Sequence, residues 1–114
     1  MPINFEDADE NRRRIFISGR MDIPGTAEIE LKFTSLAASA KRQVLVDLTA
    51  VSFMASIGIR AIVANAKALH LRGGRMILLT GSNDLVAKTL KATGIDQLLP
   101  MFSDAAEAEK AAFS

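Results

Sequence analysis

Cysteine, tryptophan and tyrosine are absent from this chain, and histidine occurs once in its 114 residues. The lack of cysteine excludes disulfides and thiolate metal sites, and His70, with no second His or Cys, makes a poor metal ligand, so no metal is expected. No apolar run approaches the roughly 20 residues that cross a bilayer. The opening Met1-Pro2-Ile3-Asn4-Phe5-Glu6 also lacks the regions of a secretory signal, so the expected location is cytoplasmic, without membrane insertion. The formal net charge is only +1. The small basic cluster Arg12-Arg13-Arg14 has no tyrosine or tryptophan to stack a base. It therefore reads as a solvated hairpin end, and no nucleic-acid partner is expected.

What the chain does have is apolar content, 49% of its residues, enough for one real core and sized for a single domain over residues 1–114. Ile3 and Phe5 alternate with polar residues, Asp7 to Asn11 forms a polar turn, and Arg13 to Ser18 alternates around Ile15 and Ile17, which predicts an antiparallel strand pair. Pro24 and Gly25 then break the chain, Thr26 can cap, and Ile29, Phe33, Leu36 and Ala40 step along one helical face. A buried strand is expected around Val44 to Leu48, and Gly73-Gly74 ends the next helix. Met76 to Thr80 reads as a strand, Asn83 opens a helix to about Ala92, and Leu98 to Phe102 is a short strand before an Ala-rich terminal helix. Strand alternating with helix predicts an α/β domain with a mostly parallel sheet, without repeats or linkers.

The most informative stretch is VLVDLTAVSFMASIGIRAIVANAKALHL, Val44 to Leu71. An apolar strand passes into a helix whose Ile59, Ile62, Val63 and Ala66 recur at helical spacing and are expected to pack on Val44, Val46 and Met76 to Leu79. Ser56 lies at the junction, at or near the helix N-cap, where its hydroxyl can accept from a first-turn amide and where a phosphate would be tolerated. On spacing alone it is a helix cap or a modified serine.

Ser56 and Gly58 also match part of the hydrolase nucleophile elbow, but the glycine that this motif needs two residues earlier is Met54 here. His70 is the one possible histidine base, and it lies about 20 Å along the same predicted helix, at 1.5 Å per residue. Proton transfer needs hydrogen-bond reach, so no Ser-His pair forms and no enzyme activity is expected. Gly58 stands alone and Gly73-Gly74 precedes a strand, which also argues against a nucleotide-phosphate loop.

The run Asp47-Leu48-Thr49-Ala50-Val51-Ser52-Phe53-Met54-Ala55-Ser56-Ile57-Gly58-Ile59 resembles the STAS domain family, in particular its stand-alone anti-sigma-factor antagonists. Ser56 falls where that family carries its phosphorylatable serine. Gly19-Arg20-Met21-Asp22 is similar to the family's strand-to-helix turn, Arg72-Gly73-Gly74-Arg75-Met76-Ile77-Leu78-Leu79 to its second helix-to-strand turn, and Leu90 to Asp96 and Phe102 to Ala108 keep the same order. The family usually has an acid before the phosphoacceptor and often a small hydroxyl residue after it. Here those positions are Ala55 and Ile57.

The resemblance implies a single STAS-type domain with a mixed, mostly parallel sheet of about five strands and about four helices. It implies a binding module, monomeric when free, whose unmodified form captures a serine-kinase-type anti-sigma factor and whose Ser56-phosphorylated form releases it. ATP would be bound by that partner, a phosphatase would be a further partner, and the chain would need no cofactor of its own. The implied partner surface comprises Asp22, Ala55, Ile57, Gly58, Ile59 and Arg60. Asp22 remains either a turn acid or part of that surface, and Asp47 either a strand-end acceptor or part of it. The alternative function is a STAS subunit of a lipid-transport ATP-binding-cassette complex, which supports its ATPase without a serine switch.

Overall fold

The computed structural model describes residues 2–38 and 43–113. Five strands, β1 (Ile3–Asp7), β2 (Arg12–Met21), β3 (Gln43–Met54), β4 (Arg75–Leu79) and β5 (Met101–Phe102), form one sheet in the order β1-β2-β3-β4-β5. The β1–β2 hairpin is antiparallel, with Ile3 opposite Ile17 and Phe5 opposite Ile15, and the other three pairings are parallel. The expected α/β domain with a mixed, mostly parallel sheet is therefore the observed one.

Parallel neighbours need crossovers, and these are the helices α1 (Ile23–Ala37), α2 (Ser56–Leu71) and α3 (Asp84–Ala92). Because each crossover steps to the next strand in the same direction, all three helices fall on one face of the sheet. One large cluster joins Ile29, Phe33 and Leu36 of α1, Ile62, Ala66 and Leu69 of α2, and Val86 and Leu90 of α3. Beneath them lie Ile15, Ile17, Val44, Val46, Leu48, Met76 and Leu78 of the sheet. The opposite face carries a smaller cluster of Leu45, Ile77 and Leu79 under Ala108 and Ala112 of the terminal helix α4 (Ala105–Phe113). Side chains alternate across a strand. This is why Ile77 and Leu79 do not pack under α2 as expected, whereas Met76 and Leu78 do.

Several local expectations need correction. Asp22, not Thr26, caps α1, and Thr26 is buried within the first turn. The helix ends at Ala37, and Ala40 lies outside the described residues. The arginine cluster is not a solvated hairpin end. Arg13 is 8% exposed, pairs with Asp7 and donates to Leu36 O at 3.0 Å, while Arg12 pairs with Asp9 and Arg14 with Glu109 of α4. Among the described residues, no helix is long and apolar enough to cross a membrane.

Candidate functional site

Two parallel strands end side by side and each turns into a helix, which brings Asp22 and Ser56 to one edge of the domain. Gly19 to Met21, expected to form a turn, instead continues β2, with Gly19 at φ +82° and a register shift between Gly19 and Arg20. β3 likewise runs six residues past Leu48 to Met54, pairing Arg20 with Phe53 and Met21 with Met54. The bulge lets β2 keep pairing while it twists, so both helices begin at the same height. The Ala55 amide then donates to Met21 O at 3.0 Å and fixes the second turn against the first.

The start of α1 is closed. Asp22 accepts from the Gly25 amide at 2.9 Å and from Arg20 Nε at 3.0 Å. The Gly25 amide, and secondarily the Arg20 guanidinium, hold the Asp22 carboxyl below its usual range. Arg20 also lies over the Phe53 ring, 4.5 Å from its centroid. Gly25 is required here, because a Cβ at that position would stand 1.9 Å from Arg20 O.

The start of α2 is open. Its N-cap is Ala55, which has no side-chain acceptor, and Ser56 is the first helical residue. The expected capping role of Ser56 is therefore not observed. Gly58 and Ile59 both donate their amides to Ala55 O, at 3.0 and 3.2 Å, and among the described residues the Ser56 and Ile57 amides, at the positive end of a 16-residue helix, find no acceptor. Ser56 itself is exposed.

The other expected surface residues separate by burial. Arg60 is exposed, Ala55 and Ile57 are half-buried at the rim, and Ile59 is half-buried with its side chain packed against the large cluster. Gly58 is buried, contrary to its expected place on the surface. A Cβ there would come within 2.9 Å of Met21 Cβ and Met54 Sδ, so this glycine seats α2 on the ends of β2 and β3. Asp47 sits in the middle of β3, the central strand, and accepts from the Thr49 amide and hydroxyl at 2.9 and 2.6 Å, so it is a local acceptor within the strand and not the expected strand-end one.

Three contributors to this edge were not expected from sequence. Ile23 is 70% exposed directly after Asp22, Phe53 is 37% exposed under Arg20, and Asn83 pins the β3 end by donating Nδ2 to Val51 O at 2.6 Å while its Oδ1 caps α3. Asn83 is legible as a helix opener; its bond to β3 depends on a long-range approach that spacing does not encode. His70 occupies the last turn of α2, at the other end of the helix from Ser56. Among the described residues, no group of three potential metal ligands is present. This edge thus joins the capped start of α1 to an open start of α2, where, among the described residues, the exposed Ser56 hydroxyl has no hydrogen-bond partner.

The sequence model of the STAS domain matches residues 4–108. The chain belongs to the STAS domain family. Among curated proteins, this STAS domain is similar to an anti-sigma-B factor antagonist of Staphylococcus aureus, 26% identical over 100 residues that cover 87% of this chain and 92% of the relative. It is similar in fold to the crystal structure of an anti-sigma factor antagonist from Mycobacterium paratuberculosis, with TM-score 0.87 and 21% identity over 98% of this chain and 93% of that one. The Bacillus cell fate determinant SpoIIAA in its phosphorylated form shares the fold as well, with TM-score 0.69, 19% identity and coverage of 96% and 98%.

Proposed function

We propose that this STAS domain is an anti-sigma-factor antagonist of a bacterial partner-switching system. It binds a serine-kinase-type anti-sigma factor while Ser56 is unmodified and is released when that serine is phosphorylated. The observation that carries this reading is the exposed Ser56 at the uncapped positive end of α2, set next to the Met21–Asp22 turn by the Ala55 amide bond to Met21 O. The curated relatives named anti-sigma-B factor antagonists support the partner class. The domain is not an enzyme in this reading. ATP belongs to the kinase partner, a phosphatase resets the serine, and the antagonist needs no cofactor.

The proposed switch rests on charge and position. A phosphate adds about −1.5 to −2 charge to Ser56. The helix end stabilises that charge by roughly 1 kcal/mol, so the fold survives modification. Arg60 lies four residues on, on the same face of α2, and is free to draw toward the phosphate. The partner loses twice: it must desolvate a dianion in the contact patch, and it loses the Arg60 guanidinium as a contact. The half-buried Ala55 and Ile57 on either side of the serine supply the neutral part of the interface.

The test is incubation with the cognate kinase and ATP, phosphosite mapping by mass spectrometry, and pull-down of Ser56→Ala and Ser56→Asp. Ser56→Ala should bind the anti-sigma factor and resist modification, Ser56→Asp should bind more weakly, and Arg60→Glu should weaken binding while leaving the fold intact. Phosphate only on another residue, with full binding by Ser56→Asp, would sink the switch. Co-purification with a permease and an ATPase would then favour the transport-subunit function.

A further inference from the structure

At the other end of α2 from Ser56, the second half of the helix, the start of β4 and the segment before β5 enclose a groove of about 470 Å³. That size lies within the range of small-ligand sites. Its floor is Val63, Ala66, Met76 and Leu99, all belonging to or packed on the large core cluster, and their side chains carry no hydrogen-bonding group. Its lips include Leu71 and Leu98, 85% and 65% exposed, which continue the apolar floor out to the surface.

The ionisable side chains that line this groove are Lys67, His70 and Arg75, and no acidic side chain lines it among the described residues. None of these three forms an ion pair among the described residues. The stems of Lys67 and Arg75 extend the apolar wall while their charged heads reach water, so the positive charge collects at the mouth. A dry floor with a cationic mouth complements a molecule with one anionic head and a tail without polar groups. A peptide would bring backbone amides that this floor cannot satisfy. A second copy docked symmetrically would set like charges against each other.

We propose that this groove binds a free medium-chain acyl carboxylate, tail against Val63, Ala66, Met76 and Leu99, carboxylate at Lys67, His70 and Arg75. This site does not involve Ser56, and the proposal stands or falls apart from the partner switch.

The test is an amide NMR titration of the full chain with sodium decanoate below its micelle concentration, alongside decyl phosphate, decanol and decyltrimethylammonium. Decanoate should give saturable shifts centred on Val63, Lys67, Met76 and Leu99, with decanol weaker and the cationic amphiphile inert. Combined Lys67→Glu and Arg75→Glu, both at exposed positions, should weaken decanoate about tenfold and leave decanol unchanged. His70→Glu is a second, independent charge change with the same expected direction. Each variant is compared where its remaining amide spectrum matches that of the parent. No saturation, equal binding of the cationic amphiphile, shifts spread over other faces, tighter binding of decyl phosphate, or indifference to both charge changes would each overturn the assignment.

Discussion

The two helix starts at the edge of this domain are neighbours in space and opposites in construction. The α1 start is closed by a carboxylate that accepts from the Gly25 amide and pairs with Arg20, whereas the α2 start has alanine at its cap and leaves Ser56 exposed. Both are seated by a glycine, Gly25 against Arg20 O and Gly58 against Met21 and Met54. Equal steric precision with unequal electrostatics indicates a division of labour. One end holds structure with its anion built in, and the other leaves its positive end open, the feature on which the proposed switch rests.

The largest expected effect removes the support beneath the open start. Ile62 is fully buried in the large cluster, so Ile62→Ala should lose about 2 to 5 kcal/mol, read from the urea midpoint. An unchanged midpoint would detach α2 from the core. At the closed start, Gly25→Ala should cost about 3 kcal/mol, because the new Cβ meets a backbone carbonyl that side-chain rotation cannot move. If Gly25→Ala proves as mild as an exposed substitution, the close approach of α1 to β2 is misassigned.

Closing the open start should sharpen the contrast. Ala55→Asp places a capping carboxylate where α2 has none, and is expected to add about 1 kcal/mol of stability. The same carboxylate should slow phosphorylation of Ser56 by like-charge repulsion; a variant both less stable and phosphorylated faster would contradict the geometry of this helix end. Acid titration probes the closed start from the other side. The Asp22 pKa is lowered in the folded state, so its stabilising contribution is present above the usual carboxylate range and is lost as pH falls through that lowered value. Asp22→Asn keeps a capping acceptor and should lessen the acid sensitivity of the thermal midpoint. The smallest effect belongs to Ser56→Ala. Its hydroxyl caps nothing, so stability should stay within about 0.5 kcal/mol of the parent. A loss near 1 kcal/mol would restore the capping role.

Strand and helix identities were legible because their hydrophobic periods differ. The buried run Val44 to Leu48 and the helical spacing of Ile59, Ile62, Val63 and Ala66 both appear where the sequence placed them. The extensions of β2 through Gly19 to Met21 and of β3 through Thr49 to Met54 were not legible. Each depends on pairing with the other across a register shift, and a glycine at positive φ reads as a turn when its partner strand is out of view. The same blindness displaced the cap of α2 by one residue, from Ser56 to Ala55, and brought Gly58 to the surface in expectation although it is buried in the structure. Arg13 was misread for a related reason: its partners Asp7 and Leu36 O come from different elements, and composition cannot pair them.

The sheet's borders have a bearing on how any partner can hold this domain. β5 is only two residues long, and β1 at the other border carries Asn4, Glu6 and Asp7. Short or charged edges discourage another chain from adding a strand. Recognition by backbone ladder extension is thereby disfavoured, which leaves side chains as the handle for the proposed partner. On the proposed surface, binding strength and selectivity can then be retuned through exposed side chains such as Arg60 without disturbing a backbone hydrogen bond of the sheet.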